Sequence, residues 1–102
     1  MATRRVLWSS EAEEDLVAIW RYVAQEASPD IADKQLILID QATTTLREWP
    51  LAGRARDDVL PGMRSLVARP YVVFYRVAGQ GVEVVRVLHG RRDIDSIFTG
   101  ND

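Results

Sequence analysis

Tyr71-Val72-Val73-Phe74-Tyr75-Arg76-Val77-Ala78-Gly79-Gln80-Gly81-Val82-Glu83-Val84-Val85-Arg86-Val87-Leu88 is the stretch that decides the fold: two runs of β-branched and aromatic residues around a Gly-Gln-Gly break. Such side chains suit a pleated, half-buried strand, and the glycines supply a flexible turn. Residues 71–77 and 82–88 are therefore expected to pair antiparallel as a hairpin. Just upstream, residues 63–69 form a third strand-like run, opened by Pro61-Gly62, a pair suited to the middle of a type II turn. A three-stranded antiparallel meander is the economical arrangement.

Working outward toward the N-terminus, the apolar period changes from that of a strand to that of a helix. Ala12, Leu16, Ile19, Trp20 and Val23 recur on one stripe, and Ser10 with Glu13 has capping-box spacing at its start. Glu11, Glu13, Glu14 and Asp15 read as first-turn acids that complement the helix dipole rather than as a carboxylate site. Ser28-Pro29 closes this helix and opens a second, expected to run to about Trp49 before Pro50 and to carry Ala32, Leu36, Ile39, Leu46 and Trp49 along one side. Ile31, Ile37 and Leu38 widen that apolar surface beyond what rest on one sheet requires, which leaves room for cover by another chain. Residues 4–8 read as a first strand and residues 50–62 as a loop with Arg54, Arg56, Asp57 and Asp58 as solvated charge. Asp93 is placed to cap a last helical turn containing Ile94, Ile97 and Phe98. The expected fold class is α+β, with one domain over residues 1–102: strand, two-helix hairpin, antiparallel meander and short C-terminal helical turn.

Composition narrows the function. The chain has 102 residues, 47% hydrophobic and 27% charged, the balance of an ordinary globular domain. With no cysteine and one histidine it lacks the ligands for disulfides or Cys/His zinc sites, so no metal or cofactor is expected. The apolar run after the basic start is too short for a signal peptide and no segment is long enough to span a membrane, which fits the cytoplasm. Net charge is −2, but residues 1–50 hold 5 basic and 9 acidic side chains while residues 51–102 hold 8 and 6. All the cations of the second half are arginines, suited to anionic partners or to internal ion pairs.

Several ordered segments then carry a resemblance. They are Trp8-Ser9-Ser10-Glu11-Ala12-Glu13-Glu14-Asp15-Leu16 with Ile19-Trp20 and Tyr22, Pro50 with Gly53-Arg54, Pro61-Gly62-Met63-Arg64-Ser65, Tyr71-Val72-Val73-Phe74-Tyr75-Arg76, and Val82 through Leu88 followed by His89-Gly90-Arg91-Arg92-Asp93. In order and wording the chain resembles the ParE branch of the RelE/ParE toxin superfamily, the plasmid-stabilisation toxins. The resemblance implies the toxin of a type II toxin–antitoxin system, neutralised by a ParD-like ribbon-helix-helix antitoxin, with operator DNA reached only through that antitoxin. It also implies DNA gyrase as the target, trapped on cleaved DNA. Two alternatives stay open: a ribosome-dependent mRNA endonuclease of the RelE type, and a non-toxic antitoxin-binding module. Trp20, Ile31 and Leu38 are the candidate antitoxin contacts, each equally compatible with core packing.

The residues bear on the choice of target. Metal-free RNA cleavage needs a base for the 2′-hydroxyl, a cation on the phosphate and an acid for the leaving oxygen. The only lysine, Lys34, falls in the second helix, and Ser96-Ile97-Phe98-Thr99 lacks the tyrosine or histidine that several RNase relatives carry near the C-terminus. Arg64, Tyr75, Arg76, Arg86, His89, Arg91 and Arg92 remain. Arg86 and His89 are three apart, so in a regular strand they point to opposite faces, and only a strand ending near Leu88 lets them meet. The net acidity also suits a ribosome-seeking enzyme poorly. The expectation is a non-enzymatic inhibitor with Arg64, Arg86, His89, Arg91 and Arg92 as target-contacting residues. The structural alternatives are a backbone hydrogen bond that lets His89 close the sheet edge and an ion pair between Arg64 and an acid such as Asp93.

Overall fold

The computed structural model describes residues 4–99. In chain order the elements are β1 (Arg5–Trp8), α1 (Ser10–Glu26), α2 (Pro29–Thr45), β2 (Arg54–Ala55), β3 (Arg64–Ala68), β4 (Tyr71–Ala78), β5 (Gly81–His89) and α3 (Ile94–Thr99). They form a mixed α+β fold around one five-stranded sheet of order β1-β5-β4-β3-β2. The meander is present, with β3–β4 and β4–β5 antiparallel. β1 lies parallel to β5, pairing Arg5 with Gly81 through Trp8 with Val84, because the helical hairpin carries the chain back across the sheet before β3 begins. The Pro61-Gly62 turn forms as read: Gly62 has φ +80°, and the Met63 N–H donates to the Leu60 carbonyl at 3.1 Å.

The helix ends depart from the sequence reading in two places. The cap of α1 is Ser9, not Ser10: its Oγ accepts from the Ala12 N–H at 3.0 Å and donates to the Val85 carbonyl at 2.8 Å. The Ser9 N–H also donates to the Val84 carbonyl at 3.0 Å, so β5 pins the turn one residue early and the Ser10–Glu13 capping box does not form. Ser10 Oγ instead donates to Glu11 Oε1. Ser9→Ala should therefore lower unfolding free energy by about 1–2 kcal/mol while Ser10→Ala stays within about 0.5 kcal/mol, a contrast that urea denaturation of the two variants measures.

Ser28 caps α2 as expected, accepting from the Ile31 N–H, with Pro29 opening the helix. That helix stops at Thr45 rather than near Trp49. The hydroxyls of Thr43, Thr44 and Thr45 donate to the carbonyls of Asp40, Asp40 and Gln41, and such back-bonding competes with the helix ladder. The last turn tightens, with Leu46 N–H donating to the Thr43 carbonyl.

The sheet is covered on both faces. On one, Ala12, Ile19 and Ile39 of the hairpin pack on Tyr71, Val73, Val84 and Val87. On the other, Phe74 and Leu88 are covered by Val59 and Met63, with Ile94, Ile97 and Phe98 of α3 packed against them. A bulge makes this possible: Tyr75 pairs with Val84 and Phe74 with Arg86, which leaves Val85 as an extra residue and puts Val84 and Val87, three apart, under the same helices. β2 was unforeseen within the 50–62 loop. Two residues of no strand propensity join the sheet only because Arg54 and Ala55 fall opposite Ser65 and Arg64. Among the described residues no helix is long and apolar enough to cross a membrane, and none forms a cluster of His, Cys, Asp and Glu suited to a metal ion.

Candidate functional site

β1 covers β5 only as far as Val84, so the edge of β5 beyond that point needs other partners. α1 supplies them. Asp15 Oδ2 accepts from the Val87 N–H at 2.9 Å and from Arg86 Nε at 2.8 Å, while Oδ1 accepts from Arg86 Nη2 at 2.9 Å. The carboxylate thus ends an open sheet edge and grips the guanidinium in two-point fashion. Its hydrogen bonds raise the Arg86 pKa further. Asp15 had been read as one more first-turn acid; no local signal marks a partner 71 residues away.

His89 ends β5. Its Nδ1 accepts from the Arg91 N–H at 3.1 Å, and its ring meets Tyr71 edge-on with centroids 5.5 Å apart. It binds backbone, within its own turn and not across the sheet edge. Gly90 N–H donates to the Pro70 carbonyl and Arg92 N–H to the His89 carbonyl, so the turn is anchored while the side chains of Arg91 and Arg92 stay exposed. From the bulge to the end of the strand alternation is regular: Arg86 sits opposite Phe74, and His89 opposite Tyr71 on the helical face. Arg86 and His89 therefore remain on different faces although the strand reaches His89.

Arg64 lies elsewhere, on the far side of β4. Its Nη1 donates to the Gly53 carbonyl at 2.7 Å and the Leu51 carbonyl at 3.4 Å, so the ion pair with Asp93 does not form. Asp93 caps α3 through Ser96, whose hydroxyl and N–H hold its carboxyl below the usual range. Beside Arg64, the Tyr75 hydroxyl donates to the Pro50 carbonyl and accepts from the Gly53 N–H. Burial raises the Tyr75 pKa. A Cβ at Gly53 would fall 2.5 Å from that hydroxyl, which is why the loop needs glycine there. Arg64 and Tyr75 together lock residues 50–53 onto the sheet. On the α3 face, Arg56 proves not to be solvated charge: it pairs with Asp58 at 3.1 Å, reaches Ser65 Oγ at 3.5 Å and lies 5.5 Å over the Phe74 ring. Arg76 pairs with Glu83 at 2.8 Å. The five candidates are thus divided between Arg64 on β3 and the end of β5 with its turn, and only His89, Arg91 and Arg92 stand together.

The chain matches, over residues 6–94, the family model described as the ParE toxin of the type II toxin–antitoxin system parDE. It belongs to the ParE toxin family. It is 39% identical over 92 residues to Toxin ParE1 of Mycobacterium tuberculosis, covering 89% of this chain and 94% of that one. Toxin RelE2 of Caulobacter vibrioides is 35% identical over 88 residues, covering 86% and 97%. A chain from the chromosomal ParDE system of P. aeruginosa superimposes with TM-score 0.75 at 26% identity, over 85% of this chain and 96% of that one.

On this ParE-family chain the three apolar candidates divide. Trp20 is a structural link as much as a surface residue: its Nε1 donates to Asp33 Oδ1 at 2.8 Å and ties α1 to α2. Ile31 and Leu38 face outward, each about half exposed, as do Val17 and Ile37. Trp49 and Leu51, beyond the shortened α2, are more exposed still, and sequence periodicity had placed Trp49 on the buried side.

Proposed function

We propose that this toxin acts without catalysis, binding DNA gyrase and holding it on cleaved DNA in the cytoplasm, and that a ParD-like ribbon-helix-helix antitoxin neutralises it. One observation carries the non-enzymatic part. Metal-free RNA cleavage needs base, phosphate-binding cation and acid around one phosphodiester, whereas here Arg86 is held by Asp15 and His89 Nδ1 by the Arg91 N–H, on opposite faces of the sheet. Arg64 is spent on loop carbonyls on the far side of β4. Membership in the ParE family supports gyrase as the target, and the ParDE system of the superimposed P. aeruginosa chain supports an antitoxin partner. Arg91 and Arg92, exposed on an anchored turn, are the residues that reach the target. The outward Ile31 and Leu38 suit an amphipathic antitoxin segment.

The test is purified toxin added to gyrase supercoiling reactions with and without ATP, beside a translation reaction with mRNA footprinting. Accumulated cleaved DNA with intact message is the expected result. Cleaved message with normal supercoiling would overturn it and favour the ribonuclease alternative that the likeness to Toxin RelE2 keeps in play.

A further inference from the structure

The turn between β3 and β4 and the turn that follows β5 lie at the same end of the sheet. Ala68 pairs with Tyr71, so Arg69 and Pro70 form the loop of that hairpin, and Tyr71 pairs in turn with His89. The Gly90 N–H then donates to the Pro70 carbonyl at 3.0 Å, which fixes the residue after Arg69 against the residue before Arg91. Two further bonds hold the second turn, from the Arg91 N–H to His89 Nδ1 and from the Arg92 N–H to the His89 carbonyl. Strand pairing thus brings Arg69, distant in sequence, to the same end of the sheet as Arg91 and Arg92.

All three arginines are exposed, and among the described residues none has an acid within ion-pairing distance. By contrast Arg56, Arg76 and Arg86 are held by acids, and Arg64 by loop carbonyls. The nearby Asp93 turns its carboxylate onto Ser96 at the start of α3, and Asp95 is engaged as well. Like charges gathered without partners repel one another, and a chain of net charge −2 has acids enough to pair them. Left unpaired, the cluster is suited to an anion from outside. The form of the surface says which anion. The cations stand on open, backbone-anchored turns, and the turns themselves carry no large apolar side chain of the kind that makes the dry centre of a protein interface. Guanidinium forks on an open surface suit the phosphates of a nucleic-acid backbone, which position a protein without reading bases.

We infer that Arg69, Arg91 and Arg92 bind the phosphate backbone of duplex DNA. The choice of DNA rests on the function proposed above. A molecule holds an enzyme in one state only if it binds that state better than the others. A contact to DNA supplies such a preference directly, because enzyme and DNA are both within reach only in their complex. Three phosphate contacts are a weak hold by themselves, in keeping with the net charge of −2. Most of the affinity therefore comes from gyrase, and the arginines add the preference for its DNA-bound state.

The direct test needs no gyrase. Purified toxin is titrated into a labelled DNA duplex at several salt concentrations, and binding is read by fluorescence anisotropy. Each neutralised phosphate contributes about 0.9 to the slope of log K against log salt, so three contacts should raise Kd about six-fold for each doubling of salt. Arg69→Gln should reduce that rise to about 3.5-fold and weaken binding several-fold, with the melting temperature unchanged. Arg5→Gln, beside the opposite end of β5, should bind as the wild type does. Absence of duplex binding at about 25 mM salt, an equal loss in Arg5→Gln, or tighter binding of a polyglutamate peptide than of the duplex would each overturn the assignment. The last outcome would give the surface to an acidic protein segment. In gyrase reactions the Arg69→Gln/Arg91→Gln protein should need about five-fold more toxin for half-maximal cleaved DNA. Wild-type toxin that accumulates cleaved DNA without binding the duplex removes the DNA contact and leaves the proposed function standing. Duplex binding with no effect on gyrase keeps the surface and sinks that function.

Discussion

Asp15→Ala should lower unfolding free energy by about 3 kcal/mol, a large effect for a residue among four acids at the start of a helix. Removing one member of a fully buried ion pair costs about 3–5 kcal/mol, because the stranded charge is left without compensation. Side-chain exposure is 13% for Asp15 and 25% for Arg86, so the freed guanidinium regains water and the pair term drops below that range, to about 2 kcal/mol. Loss of the acceptor for the Val87 N–H adds about 1 kcal/mol. Asp15→Asn keeps a carbonyl oxygen for that N–H and should retain part of the loss. Urea denaturation of Asp15→Ala, Arg86→Ala and the double variant measures the coupling. A loss below about 0.5 kcal/mol for Asp15→Ala would mean that the pair is a surface pair of little weight. The neighbouring Glu13→Ala, outside any such contact, is the matched control.

Phe74→Ala should cost about 3–5 kcal/mol and release α3. The side chain is fully buried, and it meets the Phe98 ring with centroids 5.0 Å apart and lies beneath the Arg56 guanidinium. α3 has only six residues, too few to be stable without packing, so its order depends on Ile94, Ile97 and Phe98 finding this surface. Hydrogen exchange on the Phe74→Ala protein, under conditions where most of the chain remains folded, should show the α3 amides exchanging as in a free peptide while α1 and α2 stay protected. Retained protection in α3 together with a loss under 1 kcal/mol would mean that α3 docks on some other contact.

Much of the architecture was legible because it is written at short range. The valine-rich runs around Gly79-Gln80-Gly81 specify a hairpin, and a change of apolar period separates helices from strands. Ser28-Pro29 marks a helix start whatever lies around it. Even the errors are small and physical. The α1 cap moved by one residue because β5 binds Ser9, and α2 ended early because three consecutive threonines bond back to its own carbonyls.

The candidate site was legible only in part. His89, Arg91 and Arg92 could be read as a group because they adjoin one another in the chain, and the separation of Arg86 from His89 followed from strand alternation. Arg64 was misplaced because backbone carbonyls as partners leave no mark in a sequence. Asp15, which grips Arg86 and the open edge of β5, was missed altogether.

By itself, then, the amino-acid sequence determined the identity and order of every element but β2, the main turns and the ParE kinship, all of which rest on neighbours along the chain. Tertiary structure decided the rest. It set β1 parallel beside β5, put the extra residue at Val85 that sorts β5 side chains between two faces, and tied Asp15 to Arg86 across 71 residues. It also gathered Tyr22, Tyr71, His89 and Arg92 around one open depression. Each of these depends on which distant strand or helix lies alongside, and no spacing rule within a single segment carries that information.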